Sequence, residues 1–212
     1  MKIERGQHVV VLGSTGSGKT YFVRNCLLPL FDRVLIFDSE DMDFTDFPTL
    51  SLWQVKRFSR SNYRFYGKIV LTGKLDLDEP VIEEVCDALL AHGHDMAVYI
   101  DEVTDFSDAR SIPDPLRALI RKGRKRGISV IVGTQRPAML SKDYYGNSQH
   151  RFIFFLSDYD AAVVREYAPY IQENAARIPY RSWKCLYVAP DSSVTVLSAC
   201  PRYDWSRRLK EQ

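Results

Sequence analysis

Short apolar runs alternate along the chain with stretches of helical periodicity. Val9-Val10-Val11-Leu12 predicts a first buried strand, and Tyr21 to Leu28 predicts a helix that Pro29 ends. Val34 to Asp38 is a second apolar run, closing on a carboxylate, and Lys68 to Thr72 is a third. From Glu79 to Ala91, Ile82, Val85 and Leu89 recur at helical spacing with Cys86 and Leu90, and Gly93 stops the pattern. Met96 to Glu102 reads as a strand tipped by two adjacent carboxylates. Pro113 to Arg126 predicts a helix with Leu116, Ile120 and Gly123 on its packed stripe. Ile128 to Pro137 is a buried strand with a polar tip, and Arg151 to Leu156 is another strand. A helix capped by Asp158 then runs through Tyr167. Trp183 to Val188 and Ser193 to Leu197 form a closing hairpin around Pro190-Asp191-Ser192. Residues 201–212, with Arg202, Arg207, Arg208 and Lys210, read as a basic, mobile tail.

Between the first strand and the first helix stands Gly13-Ser14-Thr15-Gly16-Ser17-Gly18-Lys19-Thr20, a full match to G-x-x-x-x-G-K-[ST]. Glycines at this spacing let successive backbone N–H groups turn towards phosphate oxygens. Lys19 is placed to reach β- and γ-phosphates, and the Thr20 hydroxyl to ligate Mg²⁺. The alternative, a Gly/Ser-rich turn, needs a chance match of about one per cent or less at average glycine usage. These residues predict a site for a nucleoside triphosphate.

That site gives the other strand tips a meaning. Asp101 and Glu102 alone are a polar end to a buried strand. Beside a phosphate loop, Asp101 becomes the carboxylate on the Mg²⁺ side, and Glu102 the group that orients and polarises an attacking water. Gln135 would stand by the γ-phosphate if its strand neighbours the first one. Arg117, Arg121 and Arg124 share one helix face, and Arg121, Lys122, Arg124, Lys125 and Arg126 crowd its end. This cluster reads as a solvated basic helix end, an arginine finger given to a neighbour's ATP, or a set of phosphate contacts.

Composition narrows the picture only modestly. The 212 residues, 45% hydrophobic and 26% charged, suit one globular domain over 1–200 followed by the tail. A net charge of +2 leaves any nucleic-acid role to local patches. Cys26, Cys86, Cys185 and Cys200 lack metal spacing and read as reduced thiols in a cytosol-like compartment. No signal peptide or membrane span is expected. The acids Asp38, Glu40, Asp41, Asp43 and Asp46 read as solvated surface. His92 and His94 read as exposed turn residues. Between 53 and 74, Trp53, Lys56, Arg57, Phe58, Arg60, Tyr63, Arg64, Phe65, Tyr66, Lys68 and Lys74 interleave aromatic and basic groups. That mixture suits nucleic acid or core, and the residues alone do not separate the two.

Taken in order, the Gly13–Thr20 motif, Tyr99-Ile100-Asp101-Glu102, the run Arg121 to Ser129 and Gly133-Thr134-Gln135-Arg136-Pro137 resemble the FtsK–HerA superfamily of ring ATPases. The Thr-Gln-Arg-Pro strand end after a Gly/Arg-rich helix discriminates best, and the resemblance covers about residues 6–188. It implies an α/β, RecA-like P-loop NTPase core with a central, mostly parallel sheet. It also implies ATP and Mg²⁺ bound at subunit interfaces of a homo-oligomeric ring, a pentamer or hexamer. By position, Lys19 and Thr20 hold phosphate and Mg²⁺, Asp101 and Glu102 form the Walker B pair, and Gln135 is a sensor. Arg124, with Arg121 second, is the arginine finger in trans.

Family members move DNA or protein. Size and the lack of a membrane segment resemble the viral genome-packaging branch. That branch implies double-stranded DNA as track, capsid or portal-vertex proteins as partners, and the host cytoplasm or virion as location. Conjugation and filamentous-phage assembly ATPases are the alternative within the superfamily. A small kinase and a nucleotide-switched interaction protein are the alternatives outside it.

Overall fold

The computed structural model describes residues 2–39, 43–60, 63–72, 74–107, 112–166, 168, 178–198 and 200–210. Its centre is β1 (Val9–Leu12), flanked in parallel by β5 (Ile128–Thr134) and β6 (His150–Ile153). Beyond β5 come β4 (Met96–Ile100), β2 (Arg33–Asp38) and β3 (Phe65–Val70), all parallel. On the other side, β7 (Cys185–Val188) and β8 (Val194–Leu197) add an antiparallel hairpin. The sheet order is β3-β2-β4-β5-β1-β6-β7-β8.

Both faces of the sheet are covered, so β1 and β4 are apolar or aromatic at every position, not at every second one, and β5 is nearly so. Successive side chains still part company: Val10, Leu12, Leu35 and Phe37 enter one core, whereas Val9, Val11, Val34 and Ile36 enter the other. The first core lies under α2 (Leu52–Ser59), α3 (Leu75–His92) and α4 (Asp114–Lys122). The second lies under α1 (Lys19–Phe22), which continues through a π-helical segment, Val23–Leu27, and a 3-10 turn, Leu28–Leu30.

Several expectations change. Helix α3 begins upstream of Glu79 and carries Pro80 inside it, with the Asp78 carboxylate accepting from the backbone N–H groups of Thr72 and Lys74. The helix before β5 tightens into a 3-10 turn, Gly123–Arg126, which Gly127 ends at φ 72°. Ser157, not Asp158, caps α5 (Asp158–Arg165), because its hydroxyl accepts from Asp160 N–H at 3.1 Å. Tyr167, the expected helix end, lies outside the described residues.

Residues 201–210 of the basic tail include a helix that packs on the core. This helix, Trp205–Lys210, buries Trp205 against Phe47, Tyr66 and Tyr203, and the indole N–H donates to the Arg24 carbonyl at 3.1 Å. Cys26 and Cys200 form a disulfide with Cα atoms 6.2 Å apart, which corrects the reading of all cysteines as thiols. A separation of 174 residues hides such a pair from sequence spacing. Cys86 and Cys185 are buried thiols, and burial pushes Cys185 up to about 12.

Lys68 is buried in an ion pair with Asp38 at 3.0 Å, so it joins the core and not a nucleic-acid surface. Phe65 and Tyr66 are core as well, whereas Trp53 and Tyr63 remain exposed. The acidic segment also divides. Asp38 is fully buried, Asp46 pairs with Arg24, and Asp43 lines the cavity described next. Glu40 and Asp41 lie outside the described residues.

Candidate active site

All parallel strands point their C-terminal ends the same way, and the site forms where those of β4, β5 and β1 meet. After Leu12 the backbone is stapled on both sides: Gly13 N–H donates to the Thr134 carbonyl at 3.3 Å and Ser14 N–H to the Phe155 carbonyl at 2.8 Å. A Cβ on Gly13 would stand 2.6 Å from the Phe154 Cβ, so only glycine fits between the strands. Gly16 and Gly18 take φ of 72° and 103°, turning the chain into α1. Lys19 Nζ donates back to the Ser14 carbonyl at 3.2 Å. Burial lowers the Lys19 pKa, and the negative charges of Glu102 and Asp101 oppose that shift.

Past β4, the register that sets Ile100 beside Val132 carries Asp101 to Gly133 and Glu102 to the tip of β5. The Tyr99 hydroxyl donates to Asp101 Oδ1 at 2.6 Å, and Asp101 N–H to the Phe37 carbonyl at 3.1 Å. Burial raises Asp101 to about 6; the Tyr99 hydrogen bond works against this, and Asp43, Glu102 and Asp38 add to it. A Cβ on Gly133 would lie 2.9 Å from the Tyr99 hydroxyl. Glycine there leaves room for the hydroxyl that holds Asp101.

Glu102 adopts φ 44°, a left-handed conformation that costs a non-glycine residue energy. Its carboxylate is only 8% exposed and accepts three hydrogen bonds, two at Oε1 and one at Oε2. Oε1 accepts from the hydroxyls of Thr104 and Thr134, the latter at 2.7 Å, and Oε2 from Gln135 N–H at 2.8 Å. The Gln135 side chain in turn accepts from the Thr15 hydroxyl. The phosphate loop, the β4 tip and the β5 tip are therefore linked by direct hydrogen bonds.

These residues surround one cavity of about 330 Å³, lined by Thr15, Gly16, Gly18, Lys19, Thr20, Tyr21, Asp43, Asp101, Glu102, Gln135 and Trp183. Gly13, Ser14 and Ser17 shape the turn without lining the cavity. Arg124 is exposed and precedes the N-terminal end of β5, whereas Gln135 follows its C-terminal end. Seven residues of strand, about 23 Å, separate them, so Arg124 does not reach this chain's own cavity. Arg121 stands 3.5 Å from Asp143.

Sequence reading missed Tyr99, Thr134, Asp43, Tyr21 and Trp183. Tyr99 and Thr134 lie inside apolar runs, where their hydroxyls are the one signal of polar work. Asp43, Tyr21 and Trp183 carry no local signal; only folding brings them together.

The donor set suits Mg²⁺. Thr20 and Asp101 line one cavity, with Glu102 and Asp43 as further negative charge against a single Lys19. Among the described residues no group of three or more His, Cys, Asp or Glu forms a metal cage. Mg²⁺ at nucleotide sites uses one or two protein ligands alongside substrate phosphates and water.

No protein-family model matches the chain. Protein P9 of Pseudoalteromonas phage PM2 is 28% identical over 149 residues, which is 68% of this chain and 66% of that protein, just under two thirds. The fold is similar to the genome packaging NTPase B204 of Sulfolobus turreted icosahedral virus 2 in complex with sulfate. That likeness has a TM-score of 0.77 at 14% identity and covers 95% of this chain and 100% of that one. The pCW3 conjugation coupling protein TcpA is similar with a TM-score of 0.63 at 17% identity, over 96% of this chain and 62% of that one. Among the described residues, no helix is long and apolar enough to cross a membrane. With its phosphate loop on a central strand, its mostly parallel sheet and its closing hairpin, the chain shares the fold of B204 and TcpA.

Proposed function

We propose that this chain is an ATP-hydrolysing motor that moves double-stranded DNA, and specifically one that packages a viral genome. The observation that carries the reading is the convergence of Lys19, Thr20, Asp101, Glu102 and Gln135 on one cavity. Lys19 binds the β- and γ-phosphates, and its half-buried ammonium is less screened there than in bulk water. Thr20 and Asp101 are the residues that would hold Mg²⁺, which supplies charge neutralisation at the phosphates. Glu102 orients the attacking water and draws on its proton. Gln135, bonded to Thr15 and adjoining Glu102, reports the state of the phosphate loop to the tip of β5.

Arg124 has no route to its own cavity, and a head-to-tail ring would bring it to the next subunit's site. A pentamer or hexamer would supply that geometry, with capsid or portal-vertex proteins completing the machine. B204 is named as a genome packaging NTPase and is matched over its whole length, which supports the packaging branch. TcpA, a conjugation coupling protein, keeps a conjugative motor as the second reading.

Steady-state ATP hydrolysis, with and without double-stranded DNA and over a range of protein concentrations, tests this. Turnover that rises with both supports a ring motor with a shared site. Turnover indifferent to both removes the trans arginine and the DNA track, and favours a kinase or switch.

A further inference from the structure

The groups given a role so far account for the phosphate end of the cavity and leave Trp183 without one. This residue stands just before β7, yet its indole does not join the sheet. It lies over the start of α1: a Cβ on Gly18 would be 3.0 Å from Trp183 Cε3 and 3.5 Å from Cζ3. The ring is T-shaped against Tyr21, with centroids 5.5 Å apart and planes at 84°. Tyr21 is itself anchored, its hydroxyl donating to the Cys200 carbonyl at 3.3 Å.

Trp183 is 47% exposed, whereas Trp205, a core tryptophan, is 2% exposed. An aromatic surface therefore remains open at the wall of the cavity, on the side of Gly18 and Tyr21. The backbone supports the same reading. Arg181 and Trp183 both take positive φ, 56° and 58°, a conformation that bulky side chains rarely adopt. Strain of this kind persists where surrounding structure fixes a side chain for a task. Gly18 adds the reciprocal half: a Cβ there would press on the ring at 3.0 Å.

We propose that Trp183, braced edge-on by Tyr21, is the platform on which the nucleoside base stacks while Lys19 and Thr20 take the phosphates. This deepens the reading of the cavity as a nucleotide site and rests on it. The face of an indole offers no hydrogen-bond code, so it grades bases by stacking area, with purines above pyrimidines.

The test compares binding of three Mg²⁺-loaded probes: a non-hydrolysable ATP analogue, its cytidine counterpart and inorganic tripolyphosphate. Trp183→Ala should weaken the ATP analogue about ten- to hundredfold and leave tripolyphosphate nearly unchanged. Trp183→Phe should keep most of the affinity. In wild type the adenine analogue should outbind the cytosine one, and Trp183→Ala should erase that preference. Equal affinity of wild type for both analogues overturns the proposal without any variant. An equal loss of analogue and tripolyphosphate in Trp183→Ala also overturns it, because the side chain would then only support the phosphate loop. Wild type that binds tripolyphosphate but gains nothing from the base defeats the stacking role alone. Wild type that binds none of the probes defeats the nucleotide site itself.

Discussion

The Glu102 carboxylate accepts the backbone N–H of Gln135 at 2.8 Å, so the turn after β4 and the tip of β5 form one hydrogen-bonded unit. The strained φ of 44° at Glu102 aims the carboxylate across the strands, and the Thr104 and Thr134 hydroxyls hold it there. A water-orienting group needs this kind of fixed direction.

Glu102→Gln should retain nucleotide affinity and lose at least about a hundredfold in turnover. Equal turnover would remove the role given to Glu102. Thr134→Val deletes one donor to the carboxylate and should lower kcat with KM little changed. Steady-state kinetics beside equilibrium binding separates these effects.

Asp101 links function to a stability cost. Its folded pKa, about 6, stands above the ordinary 3.8 because burial disfavours the charged form. The resulting stabilisation is fully present below 3.8 and is lost as pH rises through about 6. Above that, the buried charge costs on the order of 3 kcal/mol. Asp101→Asn, melted without nucleotide or metal, should therefore gain several degrees at pH 8 and almost nothing at pH 4. The same variant should lose Mg²⁺-dependent hydrolysis. An identical melting shift at both pH values would show that charge burial is not the cause.

His8 has the opposite sign. It is buried with Nε2 donating to the Ile120 carbonyl at 2.6 Å and Nδ1 accepting Val130 N–H at 3.0 Å, which fixes one neutral tautomer. Burial lowers its pKa from 6.5 to about 4, the Ile120 bond opposes that, and Arg124 adds to it. Its contribution to stability is complete above 6.5 and is lost as pH falls through about 4. The advantage of wild type over His8→Gln in melting temperature should shrink across that window. A constant difference would argue against it.

Lys68→Ala should act on the fold and not on DNA. It removes the ammonium paired with the buried Asp38 carboxylate and should cost about 3–5 kcal/mol. Denaturant unfolding reads the loss. Folded Lys68→Ala protein with weakened DNA binding and unchanged stability would restore the surface reading of this lysine.

The Cys26–Cys200 bond ties the π-helical turn after the phosphate loop to the segment leading into the last helix. Closing so long a loop should stabilise by about 2–5 kcal/mol. Dithiothreitol should lower the melting temperature of wild type and leave a Cys26→Ser, Cys200→Ser protein unmoved. Equal sensitivity of both would mean that the bond contributes nothing.

What the sequence determined by itself is local. Gly13 to Thr20 reads as a phosphate loop because the turn, the lysine and the hydroxyl are consecutive, and Asp101-Glu102 reads as a strand tip because carboxylates interrupt an apolar run. The central strands were legible because strands buried on both faces are mostly apolar runs. Tertiary structure alone decided what lies far apart in the chain. It inserted β5 between β1 and β4, which brought Gln135 to Thr15 and Thr134 to Glu102. It buried Lys68 against Asp38, paired Cys26 with Cys200, and drew Trp183 over Gly18. Periodicity records which face of an element is apolar, because burial acts on each residue in turn. The partner across a sheet or beyond a loop is set by register and packing, and neither leaves a mark at a fixed spacing.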